Sequence, residues 1–420
     1  MTITVQNVGR VRAVAQAPGA FETEVAAGSF IDVHVIEGSA ALVMDRPFET
    51  PKLLQQYLHG YPSKVPMPRR GTLSFSTNLR GMILRGTSGV TSAFVQEVGY
   101  PLIQTAFGDT SFGTGTTIAS SSTTTVLNVT SAAGLLAGQA IVCATGAGGA
   151  LECREIKSIS TNAVTLKLAL SSAPAVAAVV YACATFFFAA LDGGSALSLQ
   201  AIVEGLGTTD RWLLKGGQIS APPAFKLAPG TIPTMDWAWM FASHAAANGT
   251  ETTMNLNGAL ADQNYSDVGI NAVMDSEFRI APHSSSALAG TDVHASEINI
   301  APNIAYEPHT TPGGLNNIKQ WVPSRVDGPP CTANFLLPYE STVWRAARDA
   351  ETDYAMTYQV GSSVANGGFM VSVPRVVVDN FQREAVGGLA GQRVTMYARP
   401  DNQSSGTTAL SISPLKLHIF

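Results

Sequence analysis

Alternation of apolar and polar positions runs through much of this chain, and helical periodicity is rare. Between 235 and 241, Trp237, Trp239 and Phe241 take every second position, with Asp236, Ala238 and Met240 between them. Successive side chains of a strand point to opposite faces. This stretch therefore predicts a half-buried strand with its aromatics on the core face. Core packing, rather than a ligand platform, is the expected role of the two tryptophans.

The densest run of strand candidates lies in 116–188. Val164, Leu166 and Leu168 alternate there with Thr165 and Lys167. Five candidates follow one another at 124–130, 139–145, 150–160, 162–170 and 177–183. Gly146, Gly148 and Gly149 break the second from the third, and Ser160-Thr161-Asn162 forms a turn before the fourth. Short strands at this spacing predict a small antiparallel barrel or sandwich, read here as a domain inserted into a larger one. TTIASSSTTT at 116–125 reads as a linker or an edge strand.

In the flanking chain, strand patterns come in the same order twice. Residues 72–81, 196–205, 211–221 and 232–242 form one series, and 295–305, 354–362, 368–378 and 392–400 the other. Each is a lone strand followed, after an excursion, by three closely spaced strands. The excursion of the second series holds a short helix candidate at 341–348 with Ser341 as N-cap. The likeness is one of order rather than residue identity, so a duplication stays open. The fold class expected is mainly β, a β-sandwich or barrel with short helices. The expected division is an N-terminal arm with a helix-containing segment (1–65), a first β unit (66–115 plus 189–290), the insert (116–188) and a second β unit (291–420). The long N-terminal stretch and 243–292 read as arms reaching neighbouring molecules.

Charge changes the picture. Charged residues are 13% of the 420, against a hydrophobic share of 45% and a net charge of −5. That is about half the ~25% usual in soluble domains, so much surface is expected to be covered by other copies. A net negative chain does not grip nucleic-acid phosphates over its whole surface. Only Glu152, Arg154, Glu155, Lys157 and Lys167 are charged within 118–188, which predicts that the insert packs on something. Residues 168–191 are uncharged and imitate a membrane span, but Pro174 and the Val/Tyr/Phe clusters favour two buried strands. The start, MTITVQNVGRVRAV, has no apolar core of a secretory signal. Cys143, Cys153, Cys183 and Cys331 lack C-x-x-C spacing and read as free buried thiols.

A search for chemistry finds little. No Gly-Lys dipeptide and no G-x-S-x-G occurs. His283, Asp292, His294 and His309 lack metal-ligand spacing and read as solvated loop residues. Asp349, Glu351 and Asp353 follow the helix candidate and read as an exposed face rather than a glycosidase carboxylate pair. No catalytic, cofactor-binding or metal residue is assigned, and no enzyme is expected. One asymmetry stands out. Lys52, Lys64, Arg69, Arg70, Arg80 and Arg85 fall in 51–96 with no acid among them, whereas 189–420 carries a net of −7. These six are candidate inter-subunit basic contacts in a repeating assembly. A solvated face and a DNA contact are the alternatives.

With these patterns assembled, the chain resembles a major tail tube protein of long-tailed, siphovirus-like bacteriophages. GTLSFSTNLRG (71–81) is similar to the first tube strand of that family, and 196–221 with IPTMDWAWMF (232–241) to its central series. Residues 367–402 resemble its closing strands, and the insert is similar to a small β domain of phage structural proteins. The resemblance implies a virion structural protein located in the tail and assembled in the host cytoplasm. Its rings stack into a tube with other tail proteins at its ends, and double-stranded DNA passes through without specific binding. No cofactor and no membrane is implied. Six chains per ring are favoured, and three are left open because a duplicated chain supplies two units. The other readings are a capsid decoration or distal tail/baseplate component, and a carbohydrate-binding β protein.

Overall fold

The computed structural model describes residues 2–5, 8–17, 25, 29–45, 48–49, 65–66, 70–82, 90, 99–145, 150–188, 196–205, 211–220, 222–246, 276–283, 291–292, 294–310, 318–325, 328–339, 341–363, 366–386, 388–401 and 408–420. It is mainly β, and its strands form three large antiparallel sheets with two small two-stranded ones.

The first sheet has eight strands, in the order Thr2–Val5, Ala41–Asp45, Arg70–Asn78, Thr234–Ala246, Arg211–Ile219, Ser198–Gly205, Val8–Gln16 and Ile31–Val33. A second path of eight runs Phe225–Leu227, Glu297–Pro302, Cys331–Leu337, Leu389–Ala398, Gly367–Val386, Asp353–Ser363, Ser276–Pro282 and Thr291–Asp292. Leaving out the outermost strand, both read third, fourth, seventh, sixth, fifth, first, second in chain order. In both, a two-stranded hairpin lies between the third and fourth strands, Phe48–Glu49 with Val65–Pro66 and Ile304–Thr310 with Ile318–Arg325. A helix lies between the fourth and fifth, Tyr100–Phe107 and Val343–Asp349.

The repeat holds at the level of register. Between Leu199 and Ala201 the pairing with Gly217 and Leu214 shifts by a bulge. The same shift separates Tyr354 and Met356, which pair with Val376 and Val373. Counting outward through the ladders matches Trp239 with Met396, Leu73 with Ala333, Leu42 with Ile300 and Ala13 with Ile280. All eight side chains are buried.

Each sheet is also drawn round in the same way. Ile31–Val33 pair with Val8–Gln16, Val35 bridges Thr77, and Ala41–Asp45 continue along Arg70–Asn78. The Ile36 N–H donates to the Ser76 carbonyl at 2.8 Å. In the second sheet Thr291–Asp292 pair with Ser276–Pro282, and Glu297–Pro302 run along Cys331–Leu337. There the Ser296 N–H donates to the Leu336 carbonyl, again at 2.8 Å. One stretch of chain thus ties both ends of each sheet, which curls it into a partly closed barrel and shields its edges.

The insert is a third barrel. Its six strands are ordered Val126–Asn128, Ala163–Leu166, Ala150–Ser160, Ala140–Thr145, Val179–Ala182 and Thr116–Thr117. An Ile118–Val129 bridge joins the two ends. All five strand candidates of this region are present, and part of the Ser/Thr-rich stretch supplies the sixth strand. Ile141 and Cys143 point into the barrel, whereas Ala140 and Val142 on the same strand pack outward against Met370 and Phe420. Both faces of a central strand are buried, which accounts for the low charge of the insert. Chain entry and exit are paired side by side, Gly108–Phe112 with Ala184–Phe188. The latter pairs in turn with Lys416–Ile419, and so joins the first part of the long Gly367–Val386 strand.

Several expectations need correction. The strands Thr2–Val5, Val8–Gln16, Ile31–Val33 and Ala41–Asp45 of the 1–65 stretch are not an arm, because they complete the first barrel. Ser276–Pro282, placed in the first unit by the sequence reading, pairs with Asp353–Ser363 in the second. The strand equivalent to Arg70–Asn78 is Cys331–Leu337, not the 295–305 stretch. Thr342, not Ser341, holds the N-cap position of helix Val343–Asp349 but makes no side-chain cap bond, while the Ser341 hydroxyl accepts from the Val343 N–H at 3.3 Å. Within 168–191 the described strands are Val179–Ala182 and Ala184–Phe188. No helix among the described residues is long and apolar enough to cross a membrane. Residues 247–275 lie outside the described residues.

Candidate assembly surfaces

Of the six basic candidates, two fall on described residues. Arg70 is exposed at the start of its strand, opposite Asp45. Arg80 is half-buried on the wall of a cavity of about 490 Å³ at the rim of the first barrel, together with Arg10, His34 and Glu37. Burial, and then the nearby Arg80 charge, push the His34 pKa down to about 4, against the pull of Asp32. Asp32 itself is buried between Arg10 and Arg12, with Arg10 Nε donating at 2.7 Å and Arg12 Nε at 3.1 Å. Lys52, Lys64, Arg69 and Arg85 lie outside the described residues. The two described ones stand apart, Arg70 at the start of strand Arg70–Asn78 and Arg80 just past its end.

Among the described residues, two surfaces join the barrels. The first is made by the Ile304–Thr310/Ile318–Arg325 hairpin, which reaches from the second barrel to the first. Trp321 and Tyr306 anchor it, and both are buried. Trp321 Nε1–H donates to the Gly216 carbonyl at 2.8 Å, and the Ala196 N–H donates to the Trp321 carbonyl at 2.9 Å. The Tyr306 hydroxyl donates to the Ala106 carbonyl at the end of helix Tyr100–Phe107, at 2.8 Å. Its N–H donates to Ser220. Gly216 sits in the bulge at φ 60°, a left-handed conformation that glycine adopts without a Cβ penalty.

The second surface joins the insert to the second barrel through buried charge. Lys167 Nζ donates to Glu155 Oε1 at 2.7 Å and also contacts Asp401. Lys416 meets the same Glu155 oxygen. Asp401 Oδ1 lies 3.0 Å from His283 Nε2. Ser372 Oγ donates to Glu155 Oε2 at 3.0 Å and lies 2.9 Å from His418 Nε2, whose ring is held from the other side by Thr185. Burial works against ionised Glu155, but Lys167 and Lys416 outweigh it and hold its carboxyl below the usual range. Burial likewise disfavours the Lys167 ammonium, and Glu155 with Asp401 still leave its pKa raised. Lys416 faces one carboxylate at close range and the Lys167 charge beside it, so burial brings it down to about 8. Burial lowers His418 to about 3 and keeps it neutral. A second link runs through buried Arg154, which donates from Nη2 to Glu152 at 2.6 Å and from Nη1 pairs with Glu277 of the second barrel at 3.0 Å.

Other candidates are redistributed. His283 is buried on Asp401 instead of solvated, whereas His294 and His309 are exposed. Asp349 and Glu351 are exposed, and Asp353 accepts from Arg375 at 2.7 Å. All four cysteines are free and buried, and burial pushes the Cys143 thiol up to about 12. Sequence reasoning missed Trp321, Tyr306, Lys416 and His418. The last two carried a signal, two ionisable residues inside the apolar LKLHIF run. No protein-family model matches this chain, and no curated protein matches it.

Proposed function

We propose that this chain is a bacteriophage virion structural protein, a tail tube subunit that assembles into stacked rings around a DNA-conducting lumen. The observation that carries the reading is the repeat of two barrels, register for register, within one chain. A ring needs a heterologous contact that closes on itself. A chain that already holds two equivalent barrels side by side embodies one step of such a ring. The repeat also alters the count favoured above. Six barrels come from three chains, so a three-chain ring is the assembly proposed. The net charge of −5 suits a lumen along which a polyanion slides, because each basic contact would add salt-dependent affinity.

The test is negative-stain electron microscopy of the concentrated protein with native mass measurement. Hollow rings or tubes with a lumen of about 20 Å or more, set by the size of B-DNA, and a mass of three chains per ring are expected. Closed trimers that never stack would move the assignment to a capsid decoration or baseplate component. A monomer at every concentration would overturn the ring.

A further inference from the structure

The cluster that joins the insert to the second barrel brings an amine and a carboxyl group together away from solvent. Lys167 follows strand Ala163–Leu166 of the insert, and Asp401 follows strand Leu389–Ala398 of the second barrel. They stand 234 positions apart in the chain, yet Lys167 Nζ touches Asp401 Oδ2. The Asp401 side chain is fully buried, and that of Lys167 is 6% exposed. Glu155 Oε1 accepts from the same Nζ at 2.7 Å, and the Glu155 side chain is 2% exposed. The other Asp401 oxygen, Oδ1, lies 3.0 Å from His283 Nε2. Backbone hydrogen bonds fix the carriers. The Lys167 N–H donates to the Glu155 carbonyl at 2.9 Å, the His283 N–H to the Asp353 carbonyl at 2.9 Å and the Asp401 N–H to the Ile412 carbonyl at 3.3 Å.

We propose that Lys167 and Asp401 condense to an amide, an intramolecular isopeptide bond that ties the insert covalently to the second barrel. The step is independent of the tail tube reading. An ammonium and a carboxylate become an amide and one water. The Lys167 nitrogen bonds to Asp401 Cγ, and the bond from Cγ to Oδ2 breaks, so neither an oxidant nor a co-reactant is needed. One proton first moves from Nζ to Oδ2 through the contact between them, which leaves a neutral amine and a neutral acid. As the nitrogen adds to Cγ, Glu155 Oε1 takes a second proton from it through the hydrogen bond already present. Returning that proton to Oδ2 releases the oxygen as water. His283 Nε2–H donates to Oδ1, which carries the negative charge of the tetrahedral intermediate and becomes the amide oxygen. The ion pair favours the ammonium, so the neutral amine is scarce and the reaction slow, but each chain reacts only once. Fixed contact replaces chance encounter. Asp401 is assigned as the acylating group because Glu155 also meets Lys416 and Ser372. Amide formation at Glu155 would strand the Lys416 ammonium. At Asp401 it turns four buried charges into two and leaves Glu155 paired with Lys416. Buried charges carry a desolvation cost, so the exchange favours the folded chain.

Intact mass spectrometry of the full-length chain, fresh and after a week at neutral pH, reads the bond directly. The chain is expected to become lighter by the mass of one water, and proteolysis should release a branched peptide that joins Lys167 to Asp401. Asp401→Asn keeps the shape of the site and should lose one ammonia instead. Asp401→Ala should keep its full mass. Glu155→Gln, in protein with native circular dichroism, should form the bond at least about a hundredfold more slowly. A parent chain that keeps its full mass after a week, with Lys167 recovered in an unbranched peptide, would overturn the proposal whether or not any variant folds. Loss of one water without a branched peptide would do the same, since it marks dehydration at a single side chain. A branch from Lys167 to Glu155 would overturn the assignment of Asp401.

Discussion

Trp321 Nε1–H and the Gly216 carbonyl meet at 2.8 Å, and through this bond a hairpin of the second barrel is fastened to a bulge of the first. The indole is about 1% exposed, so neither group has water to replace the other. Trp321→Phe keeps most of the apolar contact and leaves the Gly216 carbonyl without this donor. Such a loss costs about 1–3 kcal/mol. Trp321→Ala adds a cavity, and about 3–5 kcal/mol is expected. Denaturant unfolding of the two variants measures both. A Phe variant as destabilised as the Ala variant would show that ring packing, not the hydrogen bond, fixes the joint.

Glu155 is the shared partner of two buried ammonium groups, so it is the sensitive member of its cluster. Glu155→Gln leaves Lys167 and Lys416 with less charge compensation, and removing one partner of a buried pair costs about 3–5 kcal/mol. Lys416→Met removes the ammonium that burial already disfavours and should cost less. Equal stability losses in the two variants, read by chemical denaturation, would contradict this ranking.

Acid should destabilise the fold well before ordinary carboxylates titrate. His418 is held down to about 3 by burial and His34 to about 4, against an ordinary value of 6.5. Between those values and about 6.5 the unfolded chain binds protons that the folded chain does not, so stability falls as pH falls. His418 contributes up to about 1.4 kcal/mol per pH unit in its window, and half-buried His34 less, because solvent screens it. Glu155, held low by Lys167 and Lys416 against its burial, extends the loss further into acid. In the alkaline direction Lys416, lowered to about 8, has a slope of the same sign and adds stability as pH rises from 8 towards 10.5. A His418→Gln variant should show a shallower decline between pH 6.5 and 4 in thermal midpoint measurements. A decline as steep as that of the parent would remove His418 from the account.

Gly367 admits no side chain. Its φ is +61°, and an added Cβ would lie 1.9 Å from the Met82 carbonyl oxygen and 2.2 Å from the Phe420 oxygen. Both neighbours are backbone and cannot rotate away. Gly367→Ala should destabilise by more than the roughly 1–3 kcal/mol of backbone strain alone. Gly388, also at positive φ (+84°) but with nothing within 4 Å of an added Cβ, serves as the comparison. Calorimetry that finds the two alanine variants equal would rule out the contact as the cause.

How much could be read from the chain depended on whether a feature was local. Alternation in 235–241 located Trp237, Trp239 and Phe241 on the core, and all three are buried. The five strand candidates of the insert are all strands, because short antiparallel strands joined by turns carry both their period and their punctuation in sequence. The doubling was visible only as an order of strands. Few matched positions keep one residue type, as Phe75 and Phe335 do, and many others, such as Trp239 and Met396, share only burial. A barrel constrains volume and side-chain direction rather than identity, so the repeat survives in register and not in residues.

By itself, then, the sequence determined the β class, the inserted barrel, the core face of its clearest strands and the scarcity of charge that calls for covered surfaces. Tertiary structure decided which strands pair across distance. It brought the described strands of 2–45 into the first barrel and Ser276–Pro282 into the second, and it set Trp321 on Gly216. It also gathered Glu155, Lys167, Asp401 and Lys416, separated by up to 261 positions, into one buried cluster. The physical reason is the same in each case. Periodicity reports the environment of a residue along its own strand, whereas the partner of a strand edge or a buried charge is chosen by the closure of sheets that lie far apart in the chain.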